Sequence, residues 1–275
     1  MKLVTFSYDS RIQLGEIIDD RVYVLSGSDT MRMRDLLWRG ITPNRVSKHY
    51  PLADVELYAP LQPGKIIAIG RNYAAHAQET GSDIPQAPLI FAKLPSAVIG
   101  PGETITWSES VTKEVDWEGE LAVVMGKKTR HVSEEDALNY VFGYTIANDV
   151  SARDLQLRID SQWTRGKSLD TFCPLGPYLV TAPDVPDPQA LHIETKVNDE
   201  VMQDGSTADM IFNLRQLIAY CSRMFTLEPG DIILTGTPPG VGEGMDPKRY
   251  LKDGDTVTIT IDGLGTLRNP VAVTE

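Results

Sequence analysis

The chain is poor in the residues that build disulfides and soft-metal sites. Two cysteines, Cys173 and Cys221, occur among 275 residues, and their spacing fits neither a metal motif nor a disulfide framework. Four histidines are too few for a multi-histidine metal centre. We therefore expect both thiols to be packed in the interior, and any bound metal to be held mainly by oxygen ligands.

Positive charge is scarce, and long apolar runs are missing. Lysine and arginine number 26 against 38 aspartates and glutamates, which gives a net charge of −12. Because no basic cluster could follow a phosphate backbone, nucleic acid is not expected as a partner. The sequence has no signal peptide and no apolar run of about 18 residues, so we expect a soluble, cytoplasmic protein that makes no membrane contact.

What the chain does have is an ordinary globular composition, with 41% hydrophobic residues arranged mostly in strand patterns. Three short strands are predicted in the first 25 residues, followed by a helix over 30–38 and a polar stretch up to residue 60. Strands predominate after that, with few β-α-β alternations. We predict an accessory domain of residues 1–60 and a larger domain of residues 61–275, in an α+β or mainly β fold with a mixed or antiparallel sheet.

Three helices are predicted in the larger domain. The first covers residues 71–79, with Gly81 as the residue that ends it. The second opens at Ser133, which is a favourable N-cap, and runs to about residue 141. The third and longest covers residues 209–225, where apolar residues recur at intervals of three and four and form one stripe.

Two glutamates, Glu118 and Glu120, lie where an acidic stretch turns apolar. If residues 114–124 form one strand, the even-numbered side chains share a face that runs from four acids into Ala122 and Val124. Carboxylates at such a boundary lose hydration unless a cation, hydrogen bonds or a raised pKa compensates them. The alternative is a solvated strand edge, which is the commoner environment of a Glu-x-Glu pair.

A third carboxylate, Asp149, lies in an apolar run that predicts a buried strand. It could be a structural acid bonded to Arg153 or to backbone N–H groups. Together with Glu118 and Glu120 it would form an all-oxygen set that suits Mg²⁺ or Mn²⁺, with water or substrate in the remaining positions.

Other candidate residues lie on both sides of these acids. His76 and Glu79 are three residues apart, so on a helix they share a face and could activate a water molecule; an exposed helical pair is the alternative. Lys167 follows a glycine and could meet a substrate anion, although a surface lysine is commoner. The loop 234–242 can aim backbone N–H groups and a hydroxyl at a carboxylate, but it lacks the lysine of a phosphate-binding loop, which argues against a nucleotide site.

Several motifs, in one order, resemble those of the fumarylacetoacetate hydrolase family. They are Gly70-Arg71-Asn72-Tyr73, His76 with Glu79, Glu118-Gly119-Glu120, Asp149-Val150-Ser151-Ala152-Arg153-Asp154, Gly166-Lys167-Ser168 and Leu234-Thr235-Gly236-Thr237-Pro238. The match covers residues 60–275. It is closer to the domain-containing protein 2 branch and its bacterial relatives than to the domain-containing protein 1 branch of acylpyruvases and oxaloacetate decarboxylases.

The resemblance implies a mixed β-roll catalytic domain behind a small N-terminal α/β module, usually in a homodimer. It implies one Mg²⁺ or Mn²⁺ held by Glu118, Glu120 and Asp149. The catalytic residues that it implies are His76 and Glu79, on a segment that orders as a lid, and Lys167. The substrate-binding residues that it implies are Arg71, Gln156 and Thr237.

Such a site suits small 2-oxo acids, which can chelate a metal through the carboxylate and the neighbouring carbonyl oxygen. The leading hypothesis is C–C bond hydrolysis of an acylpyruvate-like 2,4-dioxo acid. The alternative on the same site is an oxaloacetate or 2-hydroxydienoate decarboxylase, tautomerase or isomerase. A non-catalytic scaffold that keeps a metal for stability is the competing hypothesis from another class. Which oxo acid is the substrate is left open by the motifs.

Overall fold

Strands dominate the architecture, as the sequence predicts. The computed structural model describes residues 1–159 and 161–274, and in this part of the chain the strands form a sheet of twelve strands, a sheet of five and a separate pair. None of the described helices is long and apolar enough to cross a membrane.

The strands follow one another along the chain with few helices between them. The strands of the first third are β1 Lys2–Tyr8, β2 Arg11–Ile18, β3 Arg21–Leu25, β4 Arg45–Pro51, β5 Glu56–Tyr58, β6 Ile66–Gly70 and β7 Leu89–Lys93. Those of the middle third are β8 Val98–Ile99, β9 Ile105–Ser108, β10 Val115–Asp116, β11 Gly119–Met125, β12 Val141–Asn148, β13 Ser151–Ala152 and β14 Cys173–Thr181. The last are β15 His192–Val197, β16 Glu200–Ser206, β17 Ile232–Leu234, β18 Thr256–Ile261 and β19 Gly265–Thr274. The α-helices are α1 Met33–Trp38, α2 Ala74–Glu79, α3 Trp163–Lys167 and α4 Leu214–Met224, and a π-helical segment covers Asp154–Ile159.

The large sheet is mixed. Its strand order is β4-β3-β2-β1-β14-β12-β11-β17-β6-β7, with β5 added to β1 and β8 to β14. Most neighbours are antiparallel, whereas β17 with β6 and β14 with β8 are parallel. The five-stranded sheet has the order β16-β15-β18-β19-β9. This arrangement confirms the predicted α+β, mainly β class and is unlike a doubly wound sheet.

Strand β11 lies at the centre of the molecule, and all seven of its residues are buried. On one face, Leu121, Val123 and Met125 pack with side chains of β15, β18 and α4. On the other face, Ala122 and Val124 pack with side chains of β1, β2 and α1. Burial on both faces explains why this stretch reads as a continuous apolar run.

The leading strands continue the large sheet. Strand β1 pairs with β14, where Lys2 lies opposite Val180, and β2, β3 and β4 follow outward in antiparallel pairing. The predicted meander over residues 2–25 is therefore present. The polar stretch before residue 60 carries two strands that the sequence does not reveal, β4 and β5, because β4 is almost wholly exposed and lacks an apolar alternation. The division into domains at residue 60 stays a prediction.

Three of the four predicted helices, those over 30–38, 71–79 and 209–225, are present but shorter. The first, predicted over 30–38, begins at Met33, and the longest begins at Leu214 instead of residue 209. Asn213 sets that later start, since its side chain accepts the N–H of Gln216 at 3.0 Å while the Gln216 side chain accepts the N–H of Asn213 at 2.9 Å. The helix predicted over 133–141 is wrong in type, because a single 3₁₀ turn, Ala137–Tyr140, forms there.

Candidate active site

The three predicted metal-binding carboxylates come together through the register of two neighbouring strands. Gly119 lies opposite Asn148 and Glu120 opposite Ala147 in the antiparallel pair β11–β12. Glu118 therefore stands just before β11, and Asp149 just after β12, at the same edge of the sheet. One oxygen from each of Glu118, Glu120 and Asp149 lies within 4.8 Å of the others, and all three residues are buried. These residues could hold a metal ion.

The continuous strand predicted over 114–124 is wrong. Strand β10 ends at Asp116, and Trp117 and Glu118 belong to no strand before β11 begins at Gly119. The carboxylate of Asp116 accepts the backbone N–H groups of Trp117, Gly242 and Glu243 at 2.8, 2.8 and 3.0 Å, which takes it away from the carboxylate cluster. Asp116 thus holds the neighbouring loop and Glu114 pairs with Arg158, so of the four acids only Glu118 and Glu120 line the cavity.

Three basic side chains balance the buried acids. The Nζ of Lys167 lies 2.7 Å from Glu118 Oε2 and 2.9 Å from Asp149 Oδ2. The Nζ of Lys93 lies 2.6 Å from Asp149 Oδ1, and Arg153 Nη2 makes an ion-pair contact with Glu118 Oε1 at 2.7 Å. The bond considered between Asp149 and Arg153 does not form. Arg153 instead contacts Glu118 and Asp116, to which its Nε donates at 2.8 Å.

The two glutamates have opposite electrostatic environments. Burial opposes the ionisation of Glu118, but the charges of Lys167 and Arg153 outweigh it and lower its pKa to about 2. Burial, followed by the charges of Asp149 and Glu118, raises the pKa of Glu120 well above its ordinary value. A bound divalent cation would remove this repulsion. The donor set, three buried carboxylates and no sulfur or imidazole, therefore fits a hard cation.

The His76–Glu79 pair lies on α2 and is not the exposed helical pair of the alternative interpretation. His76 is 6% exposed, and its Nδ1 lies 2.8 Å from Glu79 Oε1. The other carboxylate oxygen of Glu79 accepts the N–H of Gly240 at 2.8 Å. Because Glu79 occupies Nδ1, Nε2 is the ring nitrogen available to a substrate.

These groups surround one cavity of ≈ 250 Å³. Seven of the nine predicted site residues line it, namely Arg71, His76, Glu118, Glu120, Gln156, Lys167 and Thr237. Glu79 and Asp149 lie behind this lining, in contact with His76 and Lys167 respectively. Thr80 and Ser82, which follow Glu79 in the segment predicted to order as a lid, also line the cavity.

Loop 234–242, which follows strand β17, makes hydrogen bonds to the segment that carries Glu118 and Glu120. The N–H of Gly236 donates to Glu120 Oε2 at 2.8 Å, which is the backbone-to-carboxylate contact expected of this loop. The hydroxyl of Thr237 donates to the carbonyl of Gly119 at 3.0 Å and accepts from Gln203 Nε2 at 2.7 Å. Thr237 thus fixes the turn between Glu118 and Glu120 as well as lining the cavity.

Sequence reasoning missed several contributors. Lys93 ends β7 with its side chain fully buried, and Gln203 accepts the N–H of Gly119 at 2.9 Å from the second sheet. Trp163 opens α3 and lines the cavity. A charged residue after the apolar run Leu89–Ala92 was a usable signal for Lys93, whereas nothing in the local sequence marks Gln203 or Trp163.

Comparison with known proteins agrees with this geometry. Residues 65–272 match the family described as fumarylacetoacetate (FAA) hydrolase, C-terminal. The chain belongs to the fumarylacetoacetate hydrolase family. Oxaloacetate tautomerase YisK of Bacillus subtilis is 52% identical over 226 residues, which cover 81% of this chain and 75% of that protein. The mitochondrial oxaloacetate tautomerase fahd2 of Xenopus laevis is 44% identical over 290 residues, which cover 98% of this chain and 90% of that protein.

Solved structures of the family share the whole fold. A fumarylacetoacetate hydrolase from Exiguobacterium antarcticum superposes with a TM-score of 0.88 at 39% identity, and the match covers all of both chains. A 5-carboxymethyl-2-hydroxymuconate delta-isomerase from Mycobacterium smegmatis superposes with a TM-score of 0.85, also at 39% identity and over all of both chains. The resemblance to the family, and to its domain-containing protein 2 branch, is thereby confirmed.

Proposed function

We propose that this chain is a divalent-metal-dependent tautomerase of small 2-oxo acids, with oxaloacetate as its substrate. The observation that carries the proposal is the placement of a buried three-carboxylate cluster, Lys167 and the His76–Glu79 pair around one small cavity. The names of the relatives favour this tautomerase, the alternative hypothesis from the sequence, over C–C hydrolysis of an acylpyruvate.

Glu118, Glu120 and Asp149 would hold a divalent cation, Mg²⁺ or Mn²⁺, whose chemical contribution when bound would be Lewis acidity at the 2-oxo group. Burial lowers the pKa of Lys167, but Asp149 and Glu118 more than offset this, so its pKa is raised and the ammonium stays charged. That fixed charge stabilises the negative charge that develops on the substrate when C3 loses a proton.

Tautomerisation moves one proton and consumes no water. A proton leaves C3, its electron pair forms the C2–C3 double bond, and the 2-oxo oxygen gains a proton. We assign the removal of the C3 proton to His76 Nε2, with Glu79 holding Nδ1 and stabilising the imidazolium that forms. Gln156, Thr237 and Arg71, which line the cavity, are assigned to substrate binding.

The test follows the enol absorbance of oxaloacetate with Mg²⁺ and with EDTA, for the wild type and Glu79→Gln. We expect catalysis with Mg²⁺, none with EDTA, and a loss of turnover of about 100-fold in Glu79→Gln with cation binding retained. Glu109→Gln, which neutralises an exposed acid outside the cavity, is the matched control. If the wild type leaves the keto–enol rate unchanged, the tautomerase proposal is wrong.

Acetylpyruvate is the substrate that tests the hydrolase hypothesis. Hydrolysis consumes water and releases acetate and pyruvate, so both products can be measured directly. Metal-dependent release of pyruvate at a rate above that of oxaloacetate tautomerisation would restore hydrolysis as the main activity. No activity on either compound, with cation binding intact, would favour the metal-bearing scaffold.

We propose a homodimer, because the family resemblance implies one, and light scattering on the purified protein measures it directly. We also propose a cytoplasmic location, which the mitochondrial names of several relatives do not share.

A further inference from the structure

One basic group on the cavity wall has no acidic partner. The guanidinium of Arg71 makes no hydrogen bond and no ion pair with any residue in the described ranges 1–159 and 161–274. The guanidinium lies over the ring of Trp163, with its Cζ 5.4 Å from the ring centroid. By contrast, Arg153 and Lys167 on the same wall each contact two carboxylates. Arg71 therefore presents a fork of unused donors at the cavity.

The backbone places this side chain at some energetic cost. Arg71 has a φ of 55°, in the left-handed region that costs a non-glycine residue about 1 kcal/mol. It follows directly on β6, whose last residue, Gly70, lies under the indole of Trp163. A Cβ at Gly70 would lie 2.5 Å from that ring, so the absence of a side chain lets the indole close on the strand end.

Trp163 is itself fixed on its other side. Phe91 contacts its ring edge-on, with the centroids 5.3 Å apart and the planes at 64°. The indole is thus held between Gly70 and Phe91 and offers Arg71 a rigid face. A guanidinium stacked on such a face keeps its donors in one plane, which suits bidentate binding of a carboxylate.

The charge balance of the site also favours binding of a carboxylate by Arg71. The buried ion-pair network at the site contains the three clustered carboxylates of Glu118, Glu120 and Asp149, and a fourth, that of Asp116, which is linked to them only through Arg153. Its basic side chains are those of Lys93, Arg153 and Lys167. A divalent cation would bring this network to a net charge of +1, which the carboxylate beside the 2-oxo group would neutralise. The charge of Arg71 is then left for a second acidic group.

We propose that Arg71, aligned by Trp163, binds a second carboxylate of the substrate, so that the site selects 2-oxo dicarboxylates over 2-oxo monocarboxylates of equal length. Trp163 acts as a positioning residue and Arg71 as the residue that contacts the substrate. The inference rests on the proposed function, because it assumes that a 2-oxo acid occupies the cavity.

The kinetic test uses two four-carbon acids that differ at one end. Oxaloacetate carries a carboxylate where 2-oxobutanoate carries a methyl group. The reaction of oxaloacetate is followed by its enol absorbance, and that of 2-oxobutanoate by exchange of its C3 hydrogens with deuterium. The quantity compared is kcat/KM for oxaloacetate divided by kcat/KM for 2-oxobutanoate. We expect this ratio to fall about 30-fold in Arg71→Gln, as for a lost charge-assisted hydrogen-bond pair, and about 2- to 5-fold in Trp163→Leu, as for a lost cation–π contact. Arg11→Gln, which removes an exposed arginine far from the cavity, leaves the ratio unchanged.

A binding measurement separates this inference from the proposed function. Malate and 2-hydroxybutanoate, which form the same matched pair and are not turned over, are titrated calorimetrically into the Mg²⁺-loaded wild type and Arg71→Gln. A preference for malate that Arg71→Gln abolishes supports the inference even if no tautomerase activity is found. Equal losses for both ligands, or an unchanged preference, overturn it while leaving the tautomerase proposal intact. Arg71→Lys, which keeps the charge but loses the fork, replaces Arg71→Gln if that variant does not fold, and should lose part of the preference.

Discussion

The ammonium of Lys167 lies 2.7 Å from a carboxylate oxygen of Glu118, so a proposed metal ligand and a proposed catalytic cation share one hydrogen bond. Lys167 is 1% exposed, which rules out the surface lysine considered from the sequence. Its second contact, with Asp149, holds the ammonium between two of the three acids. The electrostatics of the carboxylates and of the lysine are therefore one system, and changes at either side should be felt at the other.

Binding of the cation should raise the free energy of unfolding, and Glu120, as one of its proposed ligands, should be needed for this effect. At a Mg²⁺ concentration about 100 times its Kd, the free energy of unfolding should rise by about 2.7 kcal/mol in the wild type. Glu120→Gln imitates the protonated acid that its raised pKa favours, so the cation-free variant should keep wild-type stability and lose most of the Mg²⁺ effect. Urea unfolding with Mg²⁺ and with EDTA measures both. An equal Mg²⁺ effect in the two proteins would contradict a ligand role for Glu120.

Lys93 should be needed for stability although it does not line the cavity. Its ammonium contacts Asp149 and donates to the carbonyl oxygens of Val150, at 3.3 Å, and of Lys167. Lys93→Met leaves these acceptors with fewer donors in a buried place, and the free energy of unfolding should fall by about 3 kcal/mol. Chemical denaturation measures this, with Lys128→Met as the control at an exposed position. Equal stability of the two variants would show that the buried ion pair contributes little.

A methyl group at Gly244 should disturb Glu79 without disturbing the fold. A Cβ there would lie 2.8 Å from Glu79 Cγ and 2.9 Å from Cδ, and Gly244 has no positive φ that would strain an alanine. Glu79 should move off the Gly240 N–H, and turnover in Gly244→Ala should fall about 10-fold. Melting temperature is the parallel measurement, and a large drop in it would assign the loss to unfolding instead.

Glu243 should contribute to stability only above acid pH. Burial opposes its ionisation, but hydrogen bonds from Arg158, Lys248 and Tyr250 lower its pKa to about 2 from the ordinary 4.5. A lowered folded-state pKa means that the contribution is complete above about pH 4.5 and is lost as the pH falls towards 2. The stability difference between the wild type and Glu243→Gln should therefore shrink between pH 5 and pH 3. A difference that stays constant over this range would contradict the assignment.

The predictions from sequence succeeded where the signal is local. The three strands predicted in the first 25 residues form as β1, β2 and β3, because apolar residues alternate along them between turn residues. Strand β4 was missed, since at the edge of the sheet its side chains are almost all exposed and no alternation survives. The break at Trp117 was missed for a different reason. It depends on backbone N–H groups of residues 242 and 243, which approach Asp116 only in the folded chain.

The sequence alone determined the family, the order of the motifs and the identity of the acids, because Glu118 and Glu120 are neighbours and Asp149 interrupts an apolar strand. Only the tertiary structure decided which charges meet. The β11–β12 register brings Asp149 to the glutamates, strand β7 contributes Lys93 from the far edge of the sheet, and Trp163 supports Arg71 from 92 positions along the chain. Pairing register and long-range packing arise from contacts between distant segments, so no local pattern encodes them.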